Sequence, residues 1–234
     1  MPDKRGPKTA MTTIRTLPTY EIVHRVHPRP ITERDEIGLV VGKAIDETLS
    51  RFSHESREGR KPSLSAMSRL ADSYLEEGLK DADLSLEPNQ REELQRQVEG
   101  VLAAFRKCPA LGCSRPRTRL ILIDGEVGIY AQPDYWDSRA RFYEMKSYQA
   151  VPPPPDVALQ MGFFQLAFPG FESFLLCIDR HASPVTTTVA RVPPMTEGRR
   201  QELLELAYRL GQESGEEKVL EYVDNPVVRH TRKG

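Results

Sequence analysis

Asp134, Glu144 and Lys146 are the residues whose types and spacing suit chemistry on a phosphate. They fall within Gly125 to Phe168, on an otherwise strand-like background. Glu144 and Lys146 are two apart in Arg141 to Tyr148, a run with aromatic residues at Phe142, Tyr143 and Tyr148. The two-residue period of a strand puts both side chains on one face and turns Met145 to the other. A carboxylate beside an ammonium is easily accommodated on a solvated surface. In a core the pair is costly unless a metal ion or a substrate phosphate neutralises the set. Asp134 follows Ile129-Tyr130-Ala131-Gln132-Pro133, the end of the preceding strand pattern, and Tyr135 to Ala140 has hairpin length. That connection sets Asp134 across from Glu144, where two carboxylates can share a hard cation such as Mg²⁺ or Mn²⁺. Lys146 is then placed to orient or deprotonate a water, or to stabilise charge on a phosphorane.

Pro133-Asp134, nine residues, then Glu144-Met145-Lys146 resembles the signature of the PD-(D/E)XK nuclease superfamily. Gln160-Met161-Gly162-Phe163-Phe164 is similar to the Q-x-x-x-Y motif of the RecB-like branch, with Phe164 where the branch has Tyr. Upstream, Gly42-Lys43-Ala44-Ile45-Asp46-Glu47 is similar to that branch's helical G-x-x-x-H-x-x-x-E motif, and Asp46 stands at the His position. Ala131 stands where the branch usually has Gly. Motifs in matching order along most of the chain are more specific than any one alone.

The resemblance implies an α/β fold: a restriction-endonuclease-like core in the order α-βββ-α-β, its central mixed β-sheet flanked by helices, with an N-terminal helical elaboration. It implies a divalent-metal-dependent deoxyribonuclease, with exonuclease and endonuclease action both open. In it Asp134, Glu144 and the main-chain carbonyl of Met145 hold Mg²⁺ or Mn²⁺, Asp46 or Glu47 completes the shell, and Lys146 assists the attack. Gln160 would contact the surroundings of Lys146 or the substrate backbone. Tyr148 and Gln165 are candidates for positioning the strand, and Tyr135 and Trp136 for stacking on bases. Packing of Tyr135 and Trp136 against adjacent helices is the other reading of those two rings.

The elements that must position these groups follow from periodicity. Thr32 reads as the cap of a helix to about Phe52, burying Ile37, Val41, Ile45 and Leu49. Gly38 and Gly42 lie four apart on one face of it, where another backbone or a ligand can come close. Ser63 caps a second helix to about Ala82, and Pro88 opens a third with Leu94, Val98, Val101, Leu102 and Phe105 inward. Thr118 to Ile123 and Glu126 to Gln132 read as strands joined by Asp124-Gly125, and Arg141 to Ser147 as a third. The prolines 152–155 form a stiff spacer outside helix and sheet, and Asp156 caps a helix through about Phe168 with Val157, Met161, Phe164 and Phe168 buried. Phe171 to Asp179 and Val185 to Val192 are further strands, and Thr196 to about Gly211 a closing helix. This predicts one domain over 19–222, its helical part at about 32–107 and its sheet core at about 117–192. Basic tails would flank it at 1–18 and 223–234, and Thr19 to Arg29 reads as a short alternating apolar stretch.

With 33 Lys and Arg against 34 Asp and Glu, the chain is no polycation, so DNA contact must come from local patches. No apolar run reaches the length of a membrane span, and the expected location is cytoplasmic. Cys108, Cys113 and Cys177 cannot supply the four thiolates of an iron–sulfur cluster, and none is expected. A homodimer would suit cleavage of a duplex. Two other classes compete with the nuclease: a non-cleaving nucleic-acid-binding or scaffold protein on the same fold, and a surface ion-pair cluster in an unrelated protein.

Overall fold

A computed structural model describes residues 13–28, 33–220 and 226–232. In chain order its elements are β1 (Thr13–Pro18), α1 (Thr19–Val26), α2 (Glu33–Arg57), α3 (Leu64–Asp81), α4 (Pro88–Phe105), β2 (Arg119–Ile123), β3 (Val127–Ala131), β4 (Tyr135–Asp137), β5 (Arg141–Lys146), α5 (Pro155–Ala167), β6 (Glu172–Asp179), β7 (Thr186–Val192), α6 (Glu197–Ser214), β8 (Glu216–Val219) and β9 (Val227–His230). Among the described residues these form an α/β arrangement of two mixed sheets flanked by helices, with strand orders β8-β1-β3-β2-β9 and β4-β5-β6-β7.

The strands therefore divide between two sheets rather than filling one. β2 and β3 pair antiparallel across a turn in which Asp124 (φ 50°) and Gly125 (φ 79°) both take the left-handed conformation of a tight hairpin. After β3 the chain leaves the first sheet through Gln132-Pro133-Asp134. Pro133 has no N–H to give a ladder, and the Gln132 amide bonds outside it, accepting from Thr118 Oγ1 (2.7 Å) and donating to Pro116 O (3.0 Å). Tyr135–Asp137, expected as the hairpin connection, is itself a strand paired with β5. The turn is confined to residues 138–140, where Asp137 Oδ1 accepts from Arg139 N at 2.9 Å.

α5 explains why two sheets can share one core. Val157, Leu159, Met161, Phe163, Phe164 and Leu166 are all buried, so the apolar surface of the helix is far wider than one stripe, with Ala158 exposed and Gln160 and Gln165 partly so. It packs with Ile121, Val127 and Ile129 of the first sheet and with Phe142, Leu175 and Cys177 of the second. Pro155 is the first helical residue, against the expected spacer, because the first-turn N–H of a helix has no partner to lose. The opposite face of the second sheet, through Tyr135, Tyr143, Met145, Leu176 and Ile178, packs on the α2–α4 layer. Alternation along β5 thus sends Phe142 and Lys146 to the α5 side, and Tyr143 and Met145 to the α2 side.

Both predicted tails contain sheet strands. β1, within 1–18, pairs parallel with β3 and antiparallel with β8, burying Ile14 and Leu17. β9, within 223–234, pairs parallel with β2. Thr19–Val26 is helical, not extended, and buries Thr19 and Ile22. Thr32, the expected cap of α2, lies outside the described residues, and α2 continues past Phe52 to Arg57. No helix among the described residues is long and apolar enough to cross a membrane.

Candidate active site

Extending the β4–β5 register by one step places Asp134 opposite Glu144. Asp134 Oδ2 accepts a hydrogen bond from Met145 N at 2.7 Å, so the residue just before β4 is tied to the end of β5. Glu144 is 3% exposed. Its Oε1 accepts from Lys146 Nζ at 2.7 Å, while its Oε2 is buried and makes no hydrogen bond among the described residues. Lys146 Nζ also donates to Gln160 Oε1, on α5, at 2.9 Å. Asp134, Glu144, Lys146 and Gln160 therefore meet at one end of β5.

The electrostatics are those of crowded carboxylates. Burial, then the negative charges of Glu144 and Asp46, push the Asp134 carboxyl well above the usual carboxylate range, against the opposing pull of Lys146 and the Met145 N–H. Burial disfavours the Lys146 ammonium, but the carboxylates of Glu144 and Asp134 outweigh it and raise the pKa above that of an ordinary lysine. Lys146 is thus an ammonium near neutral pH. The ammonium form suits orienting a water and stabilising negative charge, two of its expected roles.

Asp46, on α2, is bound to Arg115, whose Nη2 lies 2.6 Å from Asp46 Oδ2. Arg115 is the group that sequence reasoning missed. Burial lowers its pKa, and Asp46 with Asp134 more than restores it, so it is a fixed cation beside the cluster. Its sequence trace is the basic alternation Arg115, Arg117, Arg119, which runs into the strand read at Thr118 to Ile123.

Other expected site residues are elsewhere. Glu47 is exposed and lines a groove of about 400 Å³ between α2 and α3, with Lys43, Tyr74 and Glu77. One helical step of about 100° separates it from Asp46. Gln165 donates to Ser173 Oγ (2.7 Å) and Pro193 O (2.9 Å). Ser173 pairs with Phe142, four residues before Lys146, which is roughly 13 Å along the strand. Tyr135 is 2% exposed and packs on Phe105 with ring centroids 5.7 Å apart, so it has no face for a base. Trp136, partly buried, stacks on Phe171 at 5.9 Å. Tyr148, unlike these, lies close enough to Lys146 to interact with it electrostatically. Cys108, Cys113 and Cys177 are free thiols, and burial pushes Cys108 up to about 11.

Among the described residues no group of three or more His, Cys, Asp or Glu side chains stands in metal-ligand geometry. Two carboxylates suffice for Mg²⁺, which keeps several waters and takes one or two protein carboxylates. Asp134 and Glu144 fit that demand. The buried, unbonded Glu144 Oε2 is an acceptor that needs a partner, and a cation between the carboxyls would relieve the repulsion that raises Asp134. No protein-family model matches the chain, and no curated protein matches it.

Proposed function

We propose that the chain is a divalent-cation-dependent nuclease with a restriction-endonuclease-like core, hydrolysing phosphodiester bonds in DNA. The observation that carries this reading is the meeting of Asp134, Glu144, Lys146 and Gln160, with Glu144 Oε2 buried and unbonded. Asp134, Glu144 and the Met145 carbonyl are the groups that would hold Mg²⁺ or Mn²⁺. When bound, such an ion supplies Lewis-acid charge at a phosphate oxygen and lowers the pKa of a coordinated water. Gln160 holds the Lys146 ammonium in place, and Lys146 presents fixed positive charge to the phosphorane. Charge counting supports the need for a cation. Fully ionised, Asp46, Asp134 and Glu144 give three negative charges against two positive from Arg115 and Lys146, a net of −1 that a divalent ion turns to +1.

Incubation of end-labelled single- and double-stranded DNA with a panel of divalent ions tests this. Cleavage is expected with Mn²⁺ or Mg²⁺, lost with chelator and in Glu144→Gln. Intact DNA across the whole panel would overturn the proposal.

One observation favours a second reading, a non-cleaving nucleic-acid-binding or scaffold protein on the same fold. Arg115 occupies Asp46, the carboxylate expected to complete the cation shell. Calorimetry separates the two: Mn²⁺ binding that is absent, or unchanged in Asp134→Ala, supports the scaffold.

A further inference from the structure

β5, α5 and β6 form a parallel β-α-β unit, and ligands of such units bind beyond the carboxyl ends of the strands. Lys146 ends β5, and Arg180 follows directly on Asp179, the last residue of β6. Arg180 is partly buried at that end. Its Nη1 lies 3.4 Å from Ser147 Oγ and its Nε 3.4 Å from His181 Nε2, and no carboxylate ion-pairs with it among the described residues. Burial alone lowers its pKa, without an opposing negative charge among the described residues. That differs from Arg115, Arg141, Arg191 and Arg232, each of which holds a carboxylate. Taking a guanidinium partly out of water with no counter-charge is unfavourable unless a ligand supplies one.

The space beside Arg180 is kept clear by the glycine face of α2. Among the described residues, an added Cβ at Gly38 would meet only Arg180 Nη2, at 3.9 Å, and one at Gly42 would meet nothing within 4 Å. Gly42 lies one turn before Asp46, so the open strip runs from Arg180 toward the carboxylate cluster. A planar guanidinium at the end of an uncrowded strip suits a phosphate with two oxygens to share.

We propose that Arg180 binds a backbone phosphate of the nucleic acid, next along the strand from the phosphate presented to Asp134, Glu144 and Lys146. The inference rests on the nucleic-acid part of the proposed function and not on cleavage. It gives the chain a phosphate grip outside the motif residues, and it makes the Gly38–Gly42 face of α2 the track along which the backbone lies.

The test is fluorescence anisotropy of labelled single-stranded and duplex oligonucleotides with the full chain in chelator, so that nothing is cut. Loss of one charge-assisted contact is expected to weaken binding by Arg180→Ala about tenfold, and to reduce the slope of log K against log salt by about one. Arg180→Lys should recover part of the affinity, and Gly42→Leu, which fills the strip, should weaken binding with Arg180 intact. Thermal melting and Mn²⁺ calorimetry should be unaltered in Arg180→Ala. Wild-type affinity and salt slope in Arg180→Ala overturn the inference. So does wild-type affinity in a folded Gly42→Leu, which keeps the test decisive should Arg180→Ala fail to fold. Reduced binding in these variants alongside DNA left intact by every cation would refute the nuclease and keep the phosphate grip. Cleavage with unaltered binding would do the reverse.

Discussion

Replacing Lys146 by methionine removes the ammonium and keeps most of the length of the side chain. Glu144, 3% exposed, then loses the partner of Oε1 while Oε2 already has none. Removing one member of a buried ion pair costs about 3–5 kcal/mol, because the other charge is left without compensation. The Lys146 side chain is 17% exposed, so water reaches part of the pair and the lower end, about 3 kcal/mol, applies. Unfolding entropy of about 2.1 cal/mol/K per residue turns this into a fall in Tm of about 6 °C for a chain of this length. In Glu144→Gln/Lys146→Met no charge is stranded, and the double variant should melt above Lys146→Met, with a coupling of about 2 kcal/mol. Saturating Mn²⁺ should raise the Tm of Lys146→Met, since the ion supplies the charge that the ammonium gave. Thermal denaturation of the parent, Lys146→Met, Glu144→Gln and the double variant, with and without Mn²⁺, is the assay. If Lys146→Met melts within about 1 °C of the parent, or the double variant is no better than the single, the Glu144–Lys146 pair does not carry the charge balance argued for it. An activity loss in Lys146 variants must accordingly be measured below their melting range.

Three further outcomes follow from the geometry. Asp124 binds Arg232 across the β2–β3 turn, and the Arg232 hydrogen bond holds its carboxyl below the usual range. A depressed folded pKa means stability that is present above the unfolded value of ~3.9 and is lost as pH falls through the folded one. Asp124→Asn should cost at most about 1 kcal/mol at pH 7, and urea titrations should show that gap closing toward acid pH; a gap independent of pH refutes the pairing. Tyr135 Oη is buried without a hydrogen-bond partner among the described residues, so Tyr135→Phe should be neutral or stabilising by up to ~1 kcal/mol and leave DNA affinity unchanged. A loss of affinity there would restore a base-contacting role to this ring. A Cβ at Gly211 would contact Val127 Cγ1, and Gly211→Ala should destabilise by about 1–3 kcal/mol in the same titrations as α6 is forced from β3. Unchanged stability would mean that α6 can shift freely.

Local chemistry was readable where one short segment decides it. The Glu144–Lys146 face of β5, the Ser63 cap of α3, Pro88 at the start of α4 and the Asp124-Gly125 turn all depend on a few neighbouring residues. β1 and β9 were not readable, because each is a short strand made stable by partners far away in sequence: Val127 to Tyr130 for β1, Leu120 to Ile123 for β9. Nor was the breadth of the buried surface of α5. Its residues satisfy an amphipathic pattern, and only the presence of a second sheet makes Leu159, Phe163 and Leu166 interior as well.

The candidate site divides along the same line. The order of residues dictated that an aspartate, a glutamate and a lysine could face one another, since a strand's two-residue period and a short hairpin are local matters. Folding decided the rest: Gln160 against Lys146, Arg115 upon Asp46, Glu47 turned into a separate groove, and a lysine held as its ammonium. Proton affinity and ligand reach depend on burial and on charges brought together through space, and these exist only once the two sheets and α2 have packed.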